Sequence, residues 1–177
     1  MKKFTITNLK KQLAQKTKEA LIQEIATLCQ MFPQIKEYYQ AQGADIQELV
    51  KKYKDIIEKE FIEGKTRGLP KVRFSVARKA VNDFKKLTNE PELIADIMLT
   101  YVESVSWFNA EYGPDDEDFY TRPVEMFEKV LPLLEKHNLL EKFEPRAYAI
   151  VKNATDGWGY RDSLEERYED VYGEFAE

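Results

Sequence analysis

Apolar residues recur along almost the whole chain at intervals of three and four, and no stretch alternates at period two for long enough to make a strand. That periodicity confines the fold to helices, each with an apolar stripe that needs cover. Leu9 and Leu13 mark a short helix after Thr7; Leu21, Ile25, Leu28 and Phe32 mark a longer one that opens near Thr17 and is punctuated at Pro33. Asp45 with Glu48 has capping-box spacing, and Ile46, Leu49, Tyr53, Ile56 and Ile57 carry the following helix to about Glu63. Gly64 to Pro70 is the clearest turn, and Ser75 is placed to cap a helix bearing Val76, Ala77, Ala80, Val81, Phe84 and Leu87.

A second box, Asn89 with Glu92, opens a helix that is apolar on two faces: Ile94, Met98, Tyr101, Val105 and Phe108 on one, Leu93, Ile97 and Trp107 on the other. A two-faced helix belongs at the centre. Gly113-Pro114 ends it and an acidic loop follows; Val124, Phe127, Val130, Leu131 and Leu134 resume the pattern, with Pro132 expected to bend or split that helix. Pro145 is expected to start the next, with Tyr148, Val151 and Ala154, and Gly157 and Gly159 stop it. A last helix uses Leu164, Tyr168, Val171, Tyr172 and Phe175 behind an Asp162 and Glu165 box. The fold class expected is all-α, an irregular bundle or short stack of antiparallel helical hairpins with about seven or eight helices. With 177 residues and no linker-like stretch, residues 1–177 are expected to form a single helical domain.

Charge is divided along that domain. Residues 1–88 hold 19 Lys and Arg against 10 Asp and Glu, a net of +9, whereas residues 89–177 hold 8 against 22, a net of −14. The total of −5 conceals a dipolar chain, whose basic half suits a polyanion or an acidic partner, including the acidic half of another copy. One cysteine, Cys29, leaves no internal disulfide, and polar residues rather than an apolar signal core follow the first six, which fits a cytoplasmic setting. No apolar run approaches the roughly 18 to 20 residues needed to cross a bilayer, so no membrane contact is expected.

Nothing in the chain selects a catalytic centre. Gly64-Lys65-Thr66 has Lys59 where a phosphate-binding loop needs its first glycine. Asp115 to Asp118 lacks the spacing and glycine of a calcium loop, and His137, the lone histidine, suits a helix C-terminus better than a metal. Neither metal nor cofactor is expected. Two binding surfaces stand out instead: a basic patch of Lys71, Arg73, Arg78, Lys79, Lys85 and Lys86, within a segment from Lys65 to Lys86 whose only acidic residue is Asp83, and an aromatic loop of Trp158, Tyr160 and Arg161. Each has a structural reading beside it: the basic helix lies against the acidic half, and the Trp seals the core.

ITNLKKQL followed by ALIQEI is similar to the helix-extension-helix nucleic-acid module called SAP, although the turn is shorter and lacks its glycine. Taken whole, with ITNLKKQL, LIQEI, the Phe32-Pro33 break and KEYYQ, the chain resembles an uncharacterised family of small all-helical bacterial proteins, a domain of unknown function. That resemblance implies no activity and carries over no catalytic residue. The function expected is a non-enzymatic helical protein with charge-polarised surfaces that binds a protein partner or itself. The alternative is a nucleic-acid-binding module using the basic segment 65–86.

Overall fold

A computed structural model describes residues 4–43, 46–64 and 67–176, and those described residues form nine helices and no strand. In chain order they are α1 (Ile6–Leu13), α2 (Lys18–Met31), α3 (Pro33–Ala41), α4 (Ile46–Phe61), α5 (Phe74–Leu87), α6 (Pro91–Tyr112), α7 (Asp118–Lys136), α8 (Leu140–Lys152) and α9 (Tyr160–Tyr172), with a short 3₁₀ turn at Gly157–Gly159. The all-α class holds, and the count lies just above the seven or eight expected.

Helix starts depart from the sequence reading. Thr17 caps α2 as expected, accepting from Ala20 N at 3.2 Å, but α1 is capped by Thr5 rather than Thr7, accepting from Asn8 N at 3.2 Å. Ser75 lies inside α5, Asn89 precedes the true N-cap Glu90 of α6, and α9 begins at Tyr160, two residues before the Asp162 box. In each case packing or a proline at the first turn sets the start where no side-chain cap is made. Asp45, half of the first box, lies outside the described residues.

Neither proline in α7 breaks it. Pro132 does not split the helix, which runs unbroken through both Pro123 and Pro132. A proline has no N–H for the carbonyl four residues earlier. For Pro123 that carbonyl belongs to Phe119, and Asn109 Nδ2 from α6 donates to it at 2.7 Å. Pro145 likewise sits inside α8 instead of starting it: the helix opens at Leu140, and Pro145 supplies no N–H for the Glu141 carbonyl four residues earlier. At the end of α7, Asn138 takes φ +55°, and its N–H and that of Leu139 return to the carbonyls of Glu135 (3.1 Å) and Leu134 (2.8 Å). That Schellman closure turns the chain back into α8.

Helix α6 is the centre of the bundle, touching α4, α5, α7 and α8. Ile97, Leu99, Val102 and Val105 are wholly buried along it, and Phe61, Phe84, Phe127 and Leu134 of the helices packed around it are wholly buried as well. The two charge halves therefore share one core: α4 and α5 from the basic half and α7 and α8 from the acidic half meet on α6.

The N-terminal helices stand outside this arrangement. No residue of α1, α2 or α3 is buried. Helix α3 rests on α4 and α5, and α2 makes its main contact with α3, which leaves Leu21 and Leu28 half-buried and Ile25 and Phe32 of its apolar stripe exposed.

Candidate interaction surfaces

The six basic-patch residues do not act alike. Arg73 is committed to Glu60: its guanidinium donates to both carboxylate oxygens at 2.9 and 2.7 Å, and its N–H donates to Oε2 at 3.1 Å. Burial alone would raise the Glu60 pKa, but these bonds outweigh it and hold the carboxyl below its ordinary value. The neighbouring Val72 is forced to φ +55°, with its N–H on the Glu60 carbonyl at 2.8 Å, so Arg73 is a structural staple between the end of α4 and the start of α5. Lys79 and Lys86 share Asp83, Lys86 at 2.9 Å, yet keep about three-quarters of their side chains exposed. Lys71, Arg78 and Lys85 make no ion pair among the described residues and are exposed. Lys85 is crowded all the same: the protein around its ammonium, and then the charge of Lys129, lower its pKa. The outward face of α5 is thus left open by the acidic helices, with its charge partly cancelled.

The aromatic loop divides. Tyr160 is turned into the core at 1% exposure, its hydroxyl 2.5 Å from Ser106 Oγ, which corrects its place in a binding loop. Burial drives its pKa far above the usual phenol value, so it stays neutral. Arg161 lies at 4.0 Å from Asp156. Trp158 is different: it is 59% exposed and sits at φ +58°, a left-handed conformation that costs a non-glycine residue about 1 kcal/mol. Gly159 beside it is also left-handed at φ +66°. The indole stacks on Tyr120, centroids 6.2 Å apart and planes at 22°, and Tyr120 in turn donates to the Pro114 carbonyl at 2.9 Å. Around this pair lie Asp156, whose carboxylate is almost fully exposed, and Asp115, whose charge adds to burial in raising the Tyr120 pKa. Five carboxylates and no cation occupy residues 111–118. The result is an exposed indole backed by the buried ring of Tyr120, in a setting whose carboxylates outnumber its cations, Arg122 on Asp118 and Arg161 beside Asp156.

At the other end of the chain, α1 and α2 form an arm with apolar side chains in water: Ile22 is 53% exposed, Ile25 39% and Met31 63%, with Phe4, Ile6 and Phe32 also exposed. Tyr38 and Tyr39 on α3 are both exposed and pack edge-to-face on one another, rather than one entering the core as neighbouring helix positions suggest. Residues 1–31 carry six lysines against two glutamates, so the arm is basic as well as apolar.

The family described as "Family of unknown function (DUF6155)" matches residues 4–175. The chain belongs to that family. No curated protein and no solved structure matches it. The match takes in both arm helices, so the arm belongs to what defines a DUF6155 chain rather than to a terminal extension of it.

Two further features of this DUF6155 chain escaped the sequence reading. Arg146 of α8 donates to Glu103 at 2.5 and 2.6 Å, to Asp96 at 2.5 Å and to Thr100 at 3.0 Å, while Lys54 of α4 reaches Asp96 at 2.6 Å. The signal was a polar stripe at positions 96, 100 and 103 of an otherwise apolar helix. Beside it a cleft of about 330 Å³ opens between α6 and α8, with Trp107, Ala110, Ala149 and Ile150 as apolar walls and Glu103, Ser106 and Asn153 as polar ones. Glu103 is spent on Arg146 and Ser106 on Tyr160, so the groups that line the cleft are already paired. Among the described residues no cluster of His, Cys, Asp and Glu is arranged to hold a metal, and no helix is long and apolar enough to cross a membrane.

Proposed function

We propose that this chain is a non-enzymatic helical protein of the bacterial cytoplasm that works by binding another protein through its N-terminal arm. The observation that carries this reading is that α1 and α2 bury no residue while Ile22, Ile25 and Met31 stand in water. A helix in water gains little unless its apolar face is covered, so amphipathic helices left uncovered are suited to a partner. The opposed charges of the two halves then orient the encounter. Capture from lysate with the wild-type chain and with an Ile22→Asp, Ile25→Asp variant tests it. These positions are exposed, so the variant keeps its fold to within about 0.5 kcal/mol. Any bound protein, including further copies of the chain, should be lost with the variant. An identical set of bound proteins would refute the arm as the binding element.

The nucleic-acid reading keeps one supporting observation, the exposed face of α5 and the segment before it, where Lys71, Arg78 and Lys85 are free of ion pairs among the described residues. It is the weaker of the two, since Arg73 is fixed on Glu60 and Asp83 neutralises part of Lys79 and Lys86.

A further inference from the structure

Two surfaces that the described residues leave exposed are complementary in charge and chemistry. One is the arm, apolar and basic, with Ile22, Ile25 and Met31 exposed and Lys10, Lys11 and Lys18 among its cations. The other is the platform of Trp158 on Tyr120, flanked by Asp115 and Asp156. Glycine would hold the left-handed backbone at position 158 without strain, so the tryptophan is not there to serve the turn. Its indole, more than half exposed, has the area and rigidity of an interface anchor, and its face attracts cations.

We infer that the Trp158–Tyr120 platform receives the N-terminal arm of a second copy of this chain, and that the exchange is reciprocal. This rests on the protein-binding reading of the arm and names its partner. A two-fold axis makes each copy both donor and acceptor, so one arm-to-platform contact is made twice and the assembly closes as a dimer instead of growing into a filament. Apolar residues of α2 cover the indole, and the lysines of the arm meet Glu111, Asp115, Asp116 and Glu117, which make no ion pair among the described residues, whereas Asp118 is held by Arg122. Because charge attraction contributes at an exposed rim, the dimer is salt-sensitive.

Sedimentation velocity on the full chain across a range of concentrations, at low and at high salt, is the deciding experiment. The wild type should be a dimer at low salt and move toward the monomer as salt rises. Trp158→Gly, which relieves the backbone and should fold, and Ile22→Asp, Ile25→Asp should each weaken the dimer by roughly tenfold or more. In a Trp107→Phe background the remaining Trp158 emission should shift to the blue as concentration rises. A monomer at every concentration at low salt overturns the inference. If the arm variant of that monomer still loses a captured protein, the protein-binding reading survives without it. A dimer that Trp158→Gly leaves unchanged also overturns the inference, and places the contact between the arms themselves.

Discussion

Asn109 of α6 donates its side-chain amide to the Phe119 carbonyl, the acceptor that Pro123 leaves without an N–H four residues on. The proline and the asparagine are therefore one device. Removing Asn109 strands a part-buried carbonyl, so Asn109→Ala should cost about 2 kcal/mol in urea unfolding. In a Pro123→Ala background the restored amide can serve Phe119, and the same change should cost less than half as much. Equal costs in both backgrounds would show that the two residues are independent.

Arg146 joins three helices through Asp96, Glu103 and the link from Asp96 to Lys54. Arg146→Ala leaves Glu103 without its cation and should lower stability by roughly 3 kcal/mol. Arg146→Lys should recover only a minor part, since one ammonium cannot reproduce a planar fork shared between two carboxylates. Thermal melts of the two variants separate charge from geometry.

Glu60 contributes to the acid limb of stability. Its folded pKa lies below its ordinary value, because the bonds from Arg73 outweigh the effect of burial. A carboxyl depressed on folding stabilises the chain above its unfolded value, about 4.3, and that contribution is lost as pH falls through the folded value. Glu60→Gln carries no titrating group, so its stability should fall less steeply than the wild type across that acid range. Parallel curves from pH-dependent urea titrations would assign the acid limb to other carboxylates.

Oligonucleotides offer a direct measure of the α5 face. Of the six residues of the basic patch, only Lys71, Arg78 and Lys85 make no ion pair among the described residues, so binding through that patch at low salt should have a log–log salt slope no steeper than about −3 and vanish near physiological salt. Arg78→Glu, Lys79→Glu should abolish what remains. A steeper slope, with tight binding that persists in salt, would move the function to nucleic acid.

Trp158→Gly should unfold at the same temperature as the wild type or slightly above it in dilute solution. The left-handed backbone is relieved by about 1 kcal/mol while one exposed stacking contact is lost. A marked loss of stability would mean that the indole serves the fold.

The helices were legible because their apolar residues keep helical spacing over many turns, and α6 was placed at the centre because its two apolar faces both need cover. Boundaries were less so. Asn89 with Glu92 and Asp162 with Glu165 have the spacing of caps, but that spacing states what a side chain can do, and the chain chose starts at Pro91 and Tyr160. Pro132 does not split α7 and Pro145 does not start α8 for a related reason, since a helix held on several sides tolerates a missing bond that would end an isolated one.

The binding surfaces divide along the same line. Charge polarity, the basic stretch and the presence of an aromatic loop could be read from residue types and order alone. Sequence by itself determined the all-α class, the central helix and the split of charge, because these depend on periodicity and composition, which are local. Tertiary structure alone decided that Tyr160 is core while Trp158 is surface, that Arg73 belongs to Glu60, and that the stripe of α2 is left uncovered by the core helices. Those outcomes depend on which faces meet in space, and an apolar stripe in a sequence states only that cover is needed, not whether the same chain supplies it.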